Sequence, residues 1–192
     1  MGGETPFLRT KDHWCKWLLL LLLGGCAPQL LEAQARLTPT RAIQREANQI
    51  IKQGHLGTNV PLTEVALIRN LLRAASTLRD RAPALHTPGE LRSAGRVRQS
   101  LPEVGDLLIF KELPSVPSVA MVIRRYTQRR FDAITITRGA PRRIMVDMDH
   151  PTLRRSADGK IINTYLRKIL RDDEDHEGYL AGSLVEEVRA IF

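Results

Sequence analysis

Most of the β-forming sequence in this chain lies in one stretch, residues 104–146. It holds the runs VGDLLIF, SVAMVIRRY, FDAITITRG and RRIMV; prolines separate the first two, Thr-Gln-Arg-Arg the second and third, and glycine and proline stand before the fourth. Apolar runs bounded by such turn residues are typical of β-strands. We therefore predict strands at 107–110, 118–126, 131–137 and 142–146. Because no helical segment separates them, a strand meander of an α+β fold is expected and not alternating βαβ units.

The alternation within the third run predicts which side chains are buried. Ile134 and Ile136 alternate with Thr135 and Thr137, which is the pattern of a strand with one buried and one solvent-facing side. The first three strands are expected to be neighbours in one antiparallel sheet, with N-terminal helices packed on one face.

Two helices are predicted before the strands. Thr38-Pro39 is a helix-start signal and Gly54 a stop signal. Pro61 is expected to open the second helix, whose buried stripe would be Val65, Ile68, Leu72 and Ala75. Residues 81–101 contain prolines and glycines and are predicted to be a connector with at most one helical turn.

A C-terminal helix is predicted after the polar segment that follows Pro151. Ser183 and Glu186 have the spacing of a capping box, and Leu184, Val188 and Ile191 would form its buried side. Residues 161–169 fit either an extended or a helical conformation, so the sequence leaves that segment open.

The N-terminal segment predicts export and lipidation. Residues 17–23 form an apolar run of seven, too short to span a bilayer but suited to the core of a signal peptide. It ends in Leu23-Gly24-Gly25-Cys26, which resembles a bacterial lipobox, although an ordinary secretory signal with a chance cysteine remains the alternative. We predict a signal peptide at 1–25, a tether at 26–37 lipidated on Cys26, and one domain at 38–192.

The predicted domain divides into a helical part at 38–101, a strand core at 104–146 and a tail at 147–192. No cysteine follows Cys26, so disulfide bonds within the domain are excluded and packing must hold it together. The expected location is the bacterial cell envelope, with the lipid in the outer membrane and the domain facing the periplasm.

The charge of the chain favours anionic neighbours. The formal net charge is +8, whereas aromatic residues make up only 5%. Such a balance indicates lipid head groups or acidic wall polymers, and no nucleic-acid partner is expected. Asp147, Asp149 and His150, or the acidic run around His176, lack the spacing of metal ligands. We predict no metal and no cofactor.

From about Arg96 onward, the chain resembles the CHAP and NlpC-type cell-wall amidohydrolases, which are papain-like enzymes that cut peptidoglycan peptides. Pro102 to Phe110 is similar to the family's P-x-x-G-D-L-V-F-F, and Val119 to Val122 to the strand after its catalytic histidine. Further similar pieces are 134–139, 163–167 and 179–182. The motif residues that the resemblance identifies are Gly105, Asp106, Arg138, Gly139, Asn163, Tyr165, Leu166, Tyr179 and Gly182.

The chain departs from this family at the catalytic positions. The resemblance implies a cysteine at a helix N-terminus, yet no cysteine lies between Thr38 and Arg81. Ser118 stands where the catalytic histidine is expected, and Thr137 where the residue orienting it would fall. Serine and threonine hydroxyls cannot act as a base near neutral pH. The resemblance therefore implies a relative without the family's catalytic residues.

The function expected from these observations is that of a lipid-anchored envelope pseudoenzyme that binds peptidoglycan or a partner protein. One alternative is an active amidase or peptidase with non-standard residues, in which Ser118 would need a base such as His55, His86, His150 or His176. The other is a basic lipoprotein that adheres to anionic envelope polymers without a specific groove.

Overall fold

Helix α1 covers Pro39–Gln53 in the computed structural model, which describes residues 38–76, 85–173 and 176–192. The Thr38 hydroxyl accepts a hydrogen bond from the backbone N–H of Arg41 at 3.4 Å, and Pro39 occupies the first turn. Gly54 ends the helix in the left-handed conformation, with φ of 75°. Both predicted end signals are therefore confirmed.

Helix α2 covers Glu64–Ser76, and helix α3 covers Pro88–Ser93. The predicted start of α2 at Pro61 is wrong by three residues, because the Thr63 hydroxyl accepts from the Ala66 N–H at 3.2 Å and so begins the helix later. The predicted stripe of α2 is buried, together with Ala66, Leu67 and Leu71. The helical turn in the connector is α3, which opens with a capping box between Thr87 and Glu90.

The described part of the chain forms one six-stranded antiparallel sheet and belongs to the α+β class. Its strands, in chain order, are β1 Arg96–Val97, β2 Leu107–Phe110, β3 Val119–Arg125, β4 Arg130–Thr137, β5 Ala140–Asp147 and β6 Val185–Ala190. Their spatial order is β1-β6-β2-β3-β4-β5. The prediction that the three strands β2, β3 and β4 are neighbours is confirmed.

The predicted C-terminal helix is wrong. Helix α4 covers only Ala181–Leu184, and the chain continues as β6. The Ser183 hydroxyl donates to the Pro151 carbonyl and does not cap a helix. Strand β6 lies between β1 and β2, with Val188 opposite Leu108, so it satisfies backbone groups on β2 that a helix would leave unpaired. Strands β1 and β6 therefore lie outside the predicted strand core.

Two hydrophobic clusters cover opposite faces of the sheet. Helices α1 and α2 pack on one face against side chains such as Met121 and Ile134. On the other face, Leu166 and Ala181 from the tail pack against side chains such as Phe131 and Val146. The expectation of a half-exposed β4 is therefore wrong: Thr135 is 0% exposed because the tail covers the second face.

Candidate functional site

The start of helix α2 lies against the start of strand β3. Glu64 is the first residue of the helix, and its Oε1 accepts the backbone N–H of Ser118 at 2.9 Å. The Ser118 hydroxyl donates to the other oxygen, Oε2. Both carboxylate oxygens are thus bound to a single residue, and the contact joins segments 54 positions apart in the sequence.

The surroundings of Glu64 have opposing effects on its protonation. Burial raises the pKa of Glu64 above 4.5, while hydrogen bonds from the hydroxyl and N–H of Ser118 and the N–H of Val119 act to lower it. The positive charge of Arg92 acts in the same lowering direction, and burial outweighs both. The helix N-terminus also favours a negative charge. The carboxyl group is therefore held in place but is harder to ionise than in water.

Thr137 lies at the same end of the sheet as Ser118. It is the other position at which the sequence departs from the catalytic pattern of the family that it resembles. It is the last residue of β4, whose antiparallel neighbour β3 starts directly after Ser118. Its side chain is buried, at 7% exposed. The structure thus places Ser118 and Thr137 at the same end of neighbouring strands, and adds Glu64 to them.

Gly105 and Asp106 have a structural role in this fold. Gly105 has φ of 101°, and a β-carbon there would lie 3.1 Å from the Ile43 side chain, so both conformation and space favour glycine. Asp106 is 3% exposed. Its carboxylate accepts a hydrogen bond from the backbone N–H of Glu103 at 2.7 Å and forms an ion pair with the Arg98 guanidinium at 2.5 Å. Burial raises the pKa of Asp106 more than these contacts lower it.

Arg138 and Gly139 form the two-residue turn between β4 and β5. Their φ values are 53° and 70°, and positive φ at both central positions is the requirement of a type I′ hairpin turn. The backbone explains this motif, and the Arg138 side chain remains exposed.

Asn163 and Gly182 hold the tail against the end of β5. Asn163 is 0% exposed; its Oδ1 accepts the N–H groups of Asp147 and Gly182, and its Nδ2 donates to the carbonyls of His150 and Leu153. A β-carbon on Gly182 would lie 2.4 Å from the Asp147 carbonyl oxygen. The space is therefore closed to any larger residue.

The remaining motif residues pair two segments of the tail. Tyr165 bridges Leu180, and the Leu166 N–H donates to the Tyr179 carbonyl at 3.0 Å. Arg167 lies 3.6 Å from the centre of the Tyr179 ring. The segment at 161–169, which the sequence left open, therefore forms isolated bridges and neither a helix nor a strand.

Among the described residues, no group of three or more histidine, cysteine or acidic side chains could hold a metal ion. The Oδ1 of Asp147 accepts the backbone N–H groups of Asp149 and His150, both at 3.0 Å, as a turn-forming aspartate does. None of the hydrogen bonds and ion pairs found within the described ranges joins a histidine to Ser118.

A basic pocket of about 220 Å³ opens beside Thr137. It is lined by Thr137, Arg138, Arg142, Arg143, Ile144, Arg154, Ile161, Asn163, Thr164 and Tyr165. Four of these ten residues are arginines and none is acidic. The pocket lies between the β4–β5 hairpin and the tail.

A second polar pocket, of about 200 Å³, lies between α1 and strands β3 to β5. Asp132, 2% exposed, accepts from the Tyr126 hydroxyl at 2.9 Å and lies 3.8 Å from the Arg143 guanidinium. Arg143 also donates to Asn48 Oδ1 at 2.7 Å. The guanidinium of Arg143 is thus engaged in linking the sheet to helix α1.

No family model, curated protein or solved structure matches this chain significantly. Within the described ranges, no helix combines the length and hydrophobicity needed to cross a bilayer. Cys26 and the predicted signal and tether lie outside the described residues.

The sequence interpretation missed Glu64. The available signal was an acidic residue directly after Thr63 at a helix start, which is a common pattern that stabilises the helix dipole. Nothing local shows that its carboxylate reaches Ser118, because that contact depends on how α2 packs against the sheet.

Proposed function

We propose that the chain is a lipid-anchored, non-catalytic binding module of the bacterial cell envelope, with a papain-like core that has lost the catalytic residues of its relatives. Its ligand would be peptidoglycan or an envelope protein, and the membrane contact would be the lipid on Cys26. The observation that carries this proposal is the Glu64–Ser118 contact. It supports the proposal because it joins a helix N-terminus to the start of a strand, and in the proposed relatives a thiolate and an imidazole would be needed at such a junction.

The contact is better suited to holding the fold than to catalysis. A nucleophilic serine needs a base that can take its proton while the hydroxyl turns toward a substrate carbonyl. Here Glu64 binds both the hydroxyl and the backbone N–H of Ser118, which keeps the hydroxyl directed at the carboxylate. An ordinary carboxylate is also a weak base toward an alcohol near neutral pH.

The alternative of an active hydrolase is favoured by one observation, the raised pKa of Glu64 next to a serine hydroxyl. A carboxyl group with a pKa closer to neutral is a better proton acceptor for general-base catalysis. In that function Ser118 would be the nucleophile and Glu64 its base, without a histidine.

Turnover of purified peptidoglycan fragments distinguishes the two functions. The wild-type protein is expected to release no product while it still binds intact wall material in sedimentation assays. Ser118→His and Thr137→His are each expected to remain inactive, because members of a catalytic unit act together and restoring one recovers little. Thiol-directed inhibitors should not affect wall binding.

Ser118→Ala and Glu64→Gln serve as the matched tests for hidden catalysis. Product release by the wild-type protein that disappears in Ser118→Ala would overturn the proposal and establish the serine hydrolase. Wall binding that is lost between low and high salt, with no dependence on any single residue, would instead favour non-specific adhesion, since the Debye length falls from about 10 Å at 0.1 M to about 3 Å at 1 M.

A further inference from the structure

The pocket beside Thr137 contains three arginines that form no ion pair with any described residue. Arg142 is exposed and has no hydrogen-bond or ion-pair partner within the part of the chain that the structure describes. Arg154 lies 5.1 Å from the centre of the Tyr165 ring, and the Arg138 guanidinium donates a hydrogen bond to the Arg167 carbonyl at 3.4 Å. Hereafter the arginine pocket means Arg138, Arg142 and Arg154 with Thr137 and Tyr165.

Several other arginines of the domain are engaged by acceptors. Arg98 pairs with Asp106, Arg167 with Asp173, and Arg143 with Asn48. The three guanidinium groups of the arginine pocket have no carboxylate partner among the residues that line it. Three like charges around one concavity repel one another, so an anion in the pocket would relieve that repulsion.

We propose that the arginine pocket binds a phosphate group, carried either by a lipid head group or by a soluble phosphate ester. Guanidinium groups bind phosphate oxygens through paired N–H donors. A phosphate group offers more acceptor oxygens than a single carboxylate, and a phosphate monoester also carries more negative charge, so either form of phosphate suits three guanidinium groups better than a carboxylate does. The volume of about 220 Å³ accommodates a phosphate group with some of its water, since one water occupies about 30 Å³ of liquid.

This inference rests on the proposed function, because it names the ligand chemistry of the same non-catalytic module. The ligand would lie between the β4–β5 hairpin and the tail, beside Thr137. Binding would use Arg142 and Arg154 most, because Arg142 is unpartnered and Arg154 is already oriented by the Tyr165 ring.

The test measures binding of inorganic pyrophosphate by titration calorimetry at constant ionic strength. All proteins carry Cys26→Ser in the full chain, so that no attached lipid contributes to binding. The double variant Arg142→Gln/Arg154→Gln is compared with Arg125→Gln/Arg171→Gln, which removes the same charge from two exposed positions outside the pocket.

We expect the pocket variant to bind pyrophosphate about tenfold or more weakly, because charge-assisted hydrogen bonds are lost, and the control variant to bind like the parent. Absence of pyrophosphate binding by the parent, or equal weakening in both variants, would overturn the inference. Circular dichroism checks that both variants remain folded.

A second arm distinguishes the two sources of phosphate. Vesicles of phosphatidylcholine with and without phosphatidylglycerol are sedimented with the same three proteins. If only the pocket variant fails to sediment with the phosphatidylglycerol vesicles, the bound phosphate group is that of a lipid head group. If the pocket variant loses pyrophosphate binding but still sediments with these vesicles, the ligand is a soluble phosphate ester. Wall turnover is measured on the same samples, so a failure of the non-catalytic function is detected separately from a failure of phosphate binding.

Discussion

Replacing Glu64 by alanine is expected to destabilise the fold and not merely to change a surface charge. The variant removes the acceptors for the Ser118 N–H and hydroxyl, and it removes a negative charge from the N-terminus of α2. Leaving half-buried donors unpaired costs about 1–3 kcal/mol, and loss of the charge at the helix end costs about 0.3–1 kcal/mol.

Burial of the carboxylate offsets part of this loss. Because burial raises the pKa of Glu64, the charged group is itself less stable in the fold than in water, and alanine relieves that penalty. We therefore expect a net decrease of about 1–3 kcal/mol in the free energy of unfolding near neutral pH. Urea unfolding followed by circular dichroism measures it, and Glu177→Ala, an exposed carboxylate outside this contact, is the control.

The dependence of this effect on pH has a defined sign. A folded-state pKa above the unfolded one means that the folded protein binds more protons between the two values. The contribution of Glu64 to stability is therefore fully present below 4.5 and decreases as the pH rises through the raised folded pKa. The difference between the wild type and Glu64→Ala should accordingly be larger below 4.5 than at neutral pH.

A double-mutant cycle with Ser118→Ala tests whether the two residues act through each other. The coupling energy is expected to be about 0.5–3 kcal/mol, as for residues in direct contact. An unchanged or increased stability of Glu64→Ala, together with no coupling to Ser118, would refute this reasoning.

Three further predictions concern packing and anchoring. Gly182→Ala should lower the free energy of unfolding by about 1–3 kcal/mol, because the added β-carbon would lie 2.4 Å from a backbone oxygen. The control Gly89→Ala has open space around it and should not destabilise the protein. Equal effects of the two variants would contradict the packing argument. Ile134→Ala should lower the free energy of unfolding by about 2–5 kcal/mol, because the Ile134 side chain is 0% exposed. The control Val97→Ala should change it little, because Val97 is 53% exposed. The midpoints of denaturant unfolding of the two variants measure the difference. Cys26→Ser should abolish incorporation of labelled fatty acid and release the protein from membranes, and its retention after a high-salt wash would contradict lipid anchoring.

The sequence alone was sufficient for the elements that local chemistry specifies. Thr38, Pro39 and Gly54 define α1 because caps act within one turn of the helix. The apolar runs, which are rich in β-branched residues in β3 and β4, define β2, β3 and β4 because side-chain shape and apolar character act within each strand. The left-handed turn after β4 is likewise encoded locally, by the glycine at 139.

The tertiary structure decided whatever depends on distant partners. Residues 185–190 have a pattern that also suits a helix, and they become β6 because the edge of β2 offers backbone hydrogen bonds. Thr135 is buried because the tail covers its face of the sheet. The pairing of Glu64 with Ser118 and the grouping of Arg142 with Arg154 join segments remote in sequence. Such contacts exist only after helix α2 and the tail have packed on opposite faces of the sheet, so no local pattern specifies them.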